Sequence, residues 1–209
     1  MMPGMDFFAS EPLLVLVRFG KWTEILAEPR PPEKYATLTG LWLHARGMAL
    51  ASTGKTAEAR ATMRELRTLA TKIPPEVQAG QNPASAMCRL GADAIEARLA
   101  ERARSWKPAI AAWQRAVAQE DGFAYDEPAD WFYPMRHYLG AALLDAKKPK
   151  EAEAVFREDL RRNPGNGWAL HGLASALVAQ GKKNEAAATT ARFDEAWKDA
   201  DIHLTRTAF

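Results

Sequence analysis

Leu139-Gly140-Ala141-Ala142-Leu143 and, 34 residues further on, Leu173-Ala174-Ser175-Ala176-Leu177 are two copies of one pattern. The same offset carries Ala152 onto Ala186. Within the first copy, Ala152-x-x-x-Phe156 follows, and Pro164 ends the second helix. Self-similarity at a period of this length marks a chain of stacked units, none of which buries its apolar face alone. The short side chains have a mechanical reason: two antiparallel helices come close only where the residues at their crossing are small. A small residue followed twelve positions later by alanine recurs four times, as Gly47 with Ala59, Ala97 with Ala109, Gly140 with Ala152, and Ala174 with Ala186.

Working outward, the apolar periodicity predicts ten helices in five hairpins. They span roughly 11–19 and 21–27, 33–53 and 56–72, 83–105 and 107–120, 128–146 and 149–163, and 167–181 and 183–200. Gly20, Gly54 and Gly181 fall where a helix–helix turn needs a residue tolerant of positive φ. Pro31-Pro32 sets off one helix, and Asn82-Pro83 offers an N-cap with a first-turn proline. Asp130 is positioned to cap the helix expected at Trp131. The segment Pro74 to Asn82 reads as a linker, and no segment alternates with period two, so no sheet is expected.

This arrangement resembles the tetratricopeptide repeat, whose signature is a Leu-Gly pair, then Ala-x-x-x-Phe, then Pro. Three further stretches are similar to the C-terminal part of a bacterial tetratricopeptide-repeat family of unassigned role. They are Tyr125-Asp126-Glu127-Pro128 with Trp131-Phe132-Tyr133-Pro134-Met135-Arg136, Glu151 to Leu160, and Asn163-Pro164-Gly165-Asn166-Gly167-Trp168. Those relatives carry further repeats and a His-Met-Pro segment upstream, which nothing here matches. The resemblance implies an all-α, right-handed superhelical solenoid forming a single domain over 1–209. Residues 1–31 are its degraded first unit, and 183–209 its capping helix and tail.

Composition narrows the function classes. Apolar residues make up 47% and charged residues 26%, an ordinary globular balance. The 28 basic and 26 acidic side chains nearly cancel, so nucleic acid is not expected as a partner. The run Leu13 to Val17 is broken by Arg18, far short of the roughly 20 residues a spanning helix needs. No membrane association is expected, and the lone Cys88 suits a reducing, cytoplasmic setting. Cys88 itself reads as a small hydrophobe on a helix face.

Gly54-Lys55-Thr56 imitates the end of a phosphate-binding loop, but Ala49 stands where its first glycine belongs, so it reads as a turn. The acidic stretch from Glu120 to Asp130 lacks the alternating spacing of a calcium loop. No nucleophile–base pair is recognisable, so no catalytic residue, cofactor or metal is expected. Trp42, Trp106, Trp113, Phe156, Phe193 and Trp197 recur at helical spacing and read as core.

In the resembled superhelix, the first helix of each pair faces a concave groove. Its lining here would be Leu41, His44 and Met48; Arg98, Glu101 and Arg102; His137, Ala141 and Asp145; and Trp168, His171 and Ser175. Trp168 reads either as an anchor for a peptide or as a lid on the preceding helix. The mixture suits a protein or peptide partner of some acidic character and lacks the Lys/Asn set that clamps chaperone tails. A non-catalytic scaffold or adaptor is the expected role. The alternative is a small-ligand or metal-binding groove around His137, His171 and Trp168. Phe7, Phe8 and Leu13 to Val17 look too apolar to face water, which suits a homodimer through the N-terminal unit or an upstream module.

Overall fold

The computed structural model describes residues 5–209; residues 1–4 of the expected N-terminal unit lie outside the described residues. Five turns carry the architecture, and all five share one geometry. At each, the residue after the helix cap has positive φ: Gly20, Gly54, Arg104, Lys147 and Gly181. The next N–H reaches back five residues to a carbonyl, as Lys21 to Leu16, Lys55 to Leu50, Ser105 to Ala100, Lys148 to Leu143 and Lys182 to Leu177. This Schellman arrangement satisfies the last carbonyls of one helix and reverses the chain into the next.

Among the described residues these turns link α1 (Glu11–Arg18) to α2 (Trp22–Ala27), α3 (Ala36–Ser52) to α4 (Thr56–Lys72) and α5 (Ala84–Arg102) to α6 (Trp106–Asp121). They likewise link α7 (Met135–Asp145) to α8 (Pro149–Arg162) and α9 (Gly167–Ala179) to α10 (Lys183–Trp197). Each helix packs on its hairpin partner. The chain divides into two compact units, Met1–Tyr133 and Pro134–Phe209.

In the first unit, α3 packs against α1, α2, α4 and α5. Its contact with α5 alternates small against large. Gly40 faces the Cys88 sulfur, Gly91 faces the His44 ring, and Gly47 faces the Ile95 side chain. A methyl added at Gly40 or Gly47 would fall 2.4 or 2.3 Å from its neighbour, so these glycines set how closely the helices approach. Gly47 thus serves α5 as much as the Ala59 expected from the spacing, and Ala59 is buried too. Leu13, Leu14 and Val17 point inward, while Phe8 and Phe19 stay exposed.

The second unit is built around Phe156 of α8. Its ring lies between Gly140 of α7 and Gly172 of α9, either of whose added methyls would come within 2.4 Å of it. Three helices are pinned by one aromatic side chain.

Two expectations are corrected by the connecting segments. The linker contains a two-residue antiparallel ladder, β1 (Gln78–Ala79) with β2 (Asn82–Pro83). Gly80 turns it with a φ of 63°, a conformation β-branched and bulky residues avoid. The helix expected from 128 starts only at Met135, with Pro134 as its N-cap residue. Asp130 and Asn82 therefore cap nothing. Asp130 Oδ2 accepts from the Gln81 N–H at 2.8 Å and from Asn82 Nδ2 at 2.7 Å. Asn82 Oδ1 accepts from the Ala124 N–H at 2.7 Å. Local side-chain bonds to loop N–H groups outcompete the helix here. They clasp 122–133 to the hairpin, with Trp131 and Tyr133 buried.

Candidate functional site

The first-helix positions of the first unit lie inside it. Leu41, His44 and Met48 are all essentially buried. His44 Nδ1 is 3.2 Å from the Gly91 carbonyl, which can only accept, so Nδ1 carries the proton. Nε2 then accepts from the Tyr133 hydroxyl at 2.7 Å. Burial drives the His44 pKa down to about 4, against a partial rise from the Gly91 contact, so the ring is neutral at pH 7. Arg98 is buried and donates to Glu101 Oε2 at 2.7 Å, while the Trp113 indole donates to Glu101 Oε1 at 2.7 Å. That trio closes the α5–α6 hairpin, leaving Arg102 exposed.

The second unit is arranged differently. His137 is fully buried and donates from Nε2 to Asp159 of α8 at 3.0 Å, which joins α7 to α8. Asp145, at the end of α7, is exposed. On α9, His171 and Ser175 are half-buried, the Ser175 hydroxyl donating to the His171 carbonyl at 3.0 Å. Trp168 is buried.

What covers this α7/α9 face is the chain itself. After α10, the Trp197 indole donates to the Ile202 carbonyl at 2.8 Å, turning the chain back. Arg206 then donates to Asp145 at 3.2 Å. The Thr207 hydroxyl lies 3.3 Å from His171 Nδ1. Phe209 meets the Trp168 ring edge-on at 6.0 Å. Phe193 and Trp197 complete the aromatic bed, Trp197 packing edge-on against Trp168 and Phe193 against His171. Burial lowers the His171 pKa, partly offset by the backbone at Leu204.

Residues 143–205 match the tetratricopeptide-repeat family. A crystal structure of the protein MamA superposes with a TM-score of 0.51 at 15% identity, over 97% of this chain and 99% of that one, a likeness of fold. A search of curated proteins finds no significant match. Residues 143–205 are tetratricopeptide-repeat sequence, within a chain built of helix hairpins. Proteins built from this repeat generally bind other proteins.

Among the described residues of this repeat protein, no helix is long and apolar enough to cross a membrane, and no three His, Cys, Asp or Glu side chains gather as a metal site would need. His137 and His171 turn to different partners, one to Asp159 and the other to the 202–209 segment. Cys88 is buried, and burial pushes its thiol up to about 12.

Sequence reasoning missed Tyr133, Asp159, Arg206, Thr207 and Phe209. A signal existed for the first of these. The stretch Leu41 to Ala51 is apolar nearly all round, the mark of a helix enclosed on every side. Such a helix needs an internal partner for any polar residue it carries.

Proposed function

We propose that this repeat protein is a non-catalytic scaffold that holds a non-helical segment of a protein partner on the α7/α9 face of its second unit. One observation supports the reading above the others. Asp145, Trp168 and His171, three of the residues read from the sequence as groove-lining, all touch the irregular segment 202–209. The face offers a carboxylate, an imidazole and an aromatic bed in one run, the mixture that recognises a peptide by one charged contact and one ring anchor. Arg102 and Glu101 of the first unit remain candidates for a second contact region.

The test is site-directed photocrosslinking in the native host. A crosslinker at Ser175 or Asp145 should trap a protein adduct, and one at Arg161, exposed on α8, should not. Adducts from position 161 alone, or from none of the three, would remove this face from the proposal.

A further inference from the structure

The segment seated on the α7/α9 face has the chemistry of a ligand, each side chain matched to a different feature beneath it. Arg206 pairs with Asp145 at 3.2 Å, both about half exposed, so that contact is open to water and exchangeable. Thr207 is buried against His171, and Ala208 is buried beside it. Phe209 meets Trp168 edge-on. A basic residue, a hydroxyl one position on and an aromatic two positions further thus read an acid, an imidazole and an indole in order.

How this segment is held contrasts with the rest of the unit. Gly167, Gly140 and Gly172 interlock with Trp197 and Phe156 so tightly that an added methyl clashes. From Leu204 to Phe209, by comparison, no residue belongs to a helix or strand. It is held by the exposed ion pair, by the contacts of Thr207 and the Leu204 backbone to His171, and by the ring contact of Phe209. An exposed ion pair contributes at most about 1 kcal/mol. Side-chain contacts of this kind can be reproduced by another segment of the same chemistry, whereas the interlocked helices beneath cannot be exchanged.

From this we infer that residues 203–209 act as an internal stand-in for the partner, closing the α7/α9 face in cis. A partner segment carrying the same basic–hydroxyl–small–aromatic pattern binds by displacing them. The inference rests on the α7/α9 face being the binding surface. It adds who competes for that face and what side chains the competitor must carry. The pattern is basic and aromatic, where the groove composition had suggested an acidic partner. Because the stand-in is tethered, it competes at an effective concentration in the millimolar range. A partner segment must exceed that, or arrive when the stand-in is disengaged.

The experiment uses the full chain and a fluorescein-labelled synthetic peptide of residues 200–209. An Arg206→Ala, Phe209→Ala double variant disengages the internal segment without altering a helix residue. It should bind the peptide at least tenfold more tightly than the wild-type chain. Adding Asp145→Arg, an exposed position whose exchange spares the core, should cost tenfold or more. A peptide carrying Arg206→Glu should then recover binding to that variant. Equal affinity for the wild type and the double variant, or binding to neither, overturns the inference. So does a wild-type dimer in sedimentation that dissociates in the double variant, since the seat would then be filled by a second copy. Crosslinks from Ser175 that are equally strong in both proteins would also overturn the inference while leaving the scaffold reading intact.

Discussion

His44 and His171 stand at corresponding places in their repeats, each three residues before the small residue of the helix crossing, yet they live in different surroundings. Around His44 the enclosure is made of helices and a clasped loop: α3 is walled by α4 and α5, and Tyr133 reaches Nε2 from 89 residues away in sequence. Around His171 the enclosure is the Phe193 ring of α10 together with an irregular returning segment that carries Thr207. One histidine belongs to a core, and the other to a covered face. A position in a repeat says which way a side chain leaves its helix. It does not say what the rest of the chain lays over it.

The widest separation between the two should appear in acid. His44 has a folded pKa of about 4, below the ordinary 6.5. Between those values the unfolded chain binds the extra proton, so stability is full above pH 6.5 and falls as pH drops toward 4. The loss amounts to about 3 kcal/mol. Hydrogen exchange along α3 should accelerate over that window, and His44→Gln should flatten the dependence. The half-buried His171 is shifted in the same direction, and α9 should show a shallower slope. Equal slopes in α3 and α9 would erase the distinction drawn here.

Packing offers the next comparison. Gly172→Ala gains about 1 kcal/mol of helix propensity, but its methyl meets a Phe156 ring already held on its other side by Gly140. Overpacking costs about 1–3 kcal/mol, so a net loss of up to about 2 kcal/mol is expected in chemical denaturation. Gly47→Ala in the first unit meets Ile95, an aliphatic side chain that no second glycine clamps, and should cost less. A larger loss at Gly47 would reverse which unit is the more tightly keyed.

The smallest effect tests where the units agree. Arg104 and Lys147 hold φ of 53° and 60° at turns where the other three hairpins use glycine. Arg104→Gly in the first unit and Lys147→Gly in the second should each stabilise by about 1 kcal/mol, read as a higher denaturation midpoint. Unequal gains would mean that the surroundings, not the shared turn geometry, set the strain.

Much of the fold was legible because helical periodicity and turn chemistry are local. Gly20, Gly54 and Gly181 announced their turns, and the ten helices fall near their expected bounds except at α7, which starts seven residues late. There Pro128, Pro134 and Asp130 looked like punctuation for an early helix start. Asp130 instead spends its carboxylate on Gln81 and Asn82, partners 49 and 48 residues away. The candidate site was half legible. Asp145, Trp168, His171 and Ser175 were named from repeat position alone, and the structure brings them together on one unit. Leu41, His44 and Met48 were named by the same rule and are enclosed. Arg206, Thr207 and Phe209 carried no signal, because a short irregular segment has no periodicity to betray where it docks.

By itself, the amino-acid sequence determined the repeated helix hairpin, since 34-residue recurrence, small crossing residues and turn glycines depend only on neighbours along the chain. Only the tertiary structure decided which faces stay open. Exposure is a property of everything packed around a side chain, and for His44 and His171 the deciding atoms belong to Tyr133 and Thr207, 89 and 36 residues away.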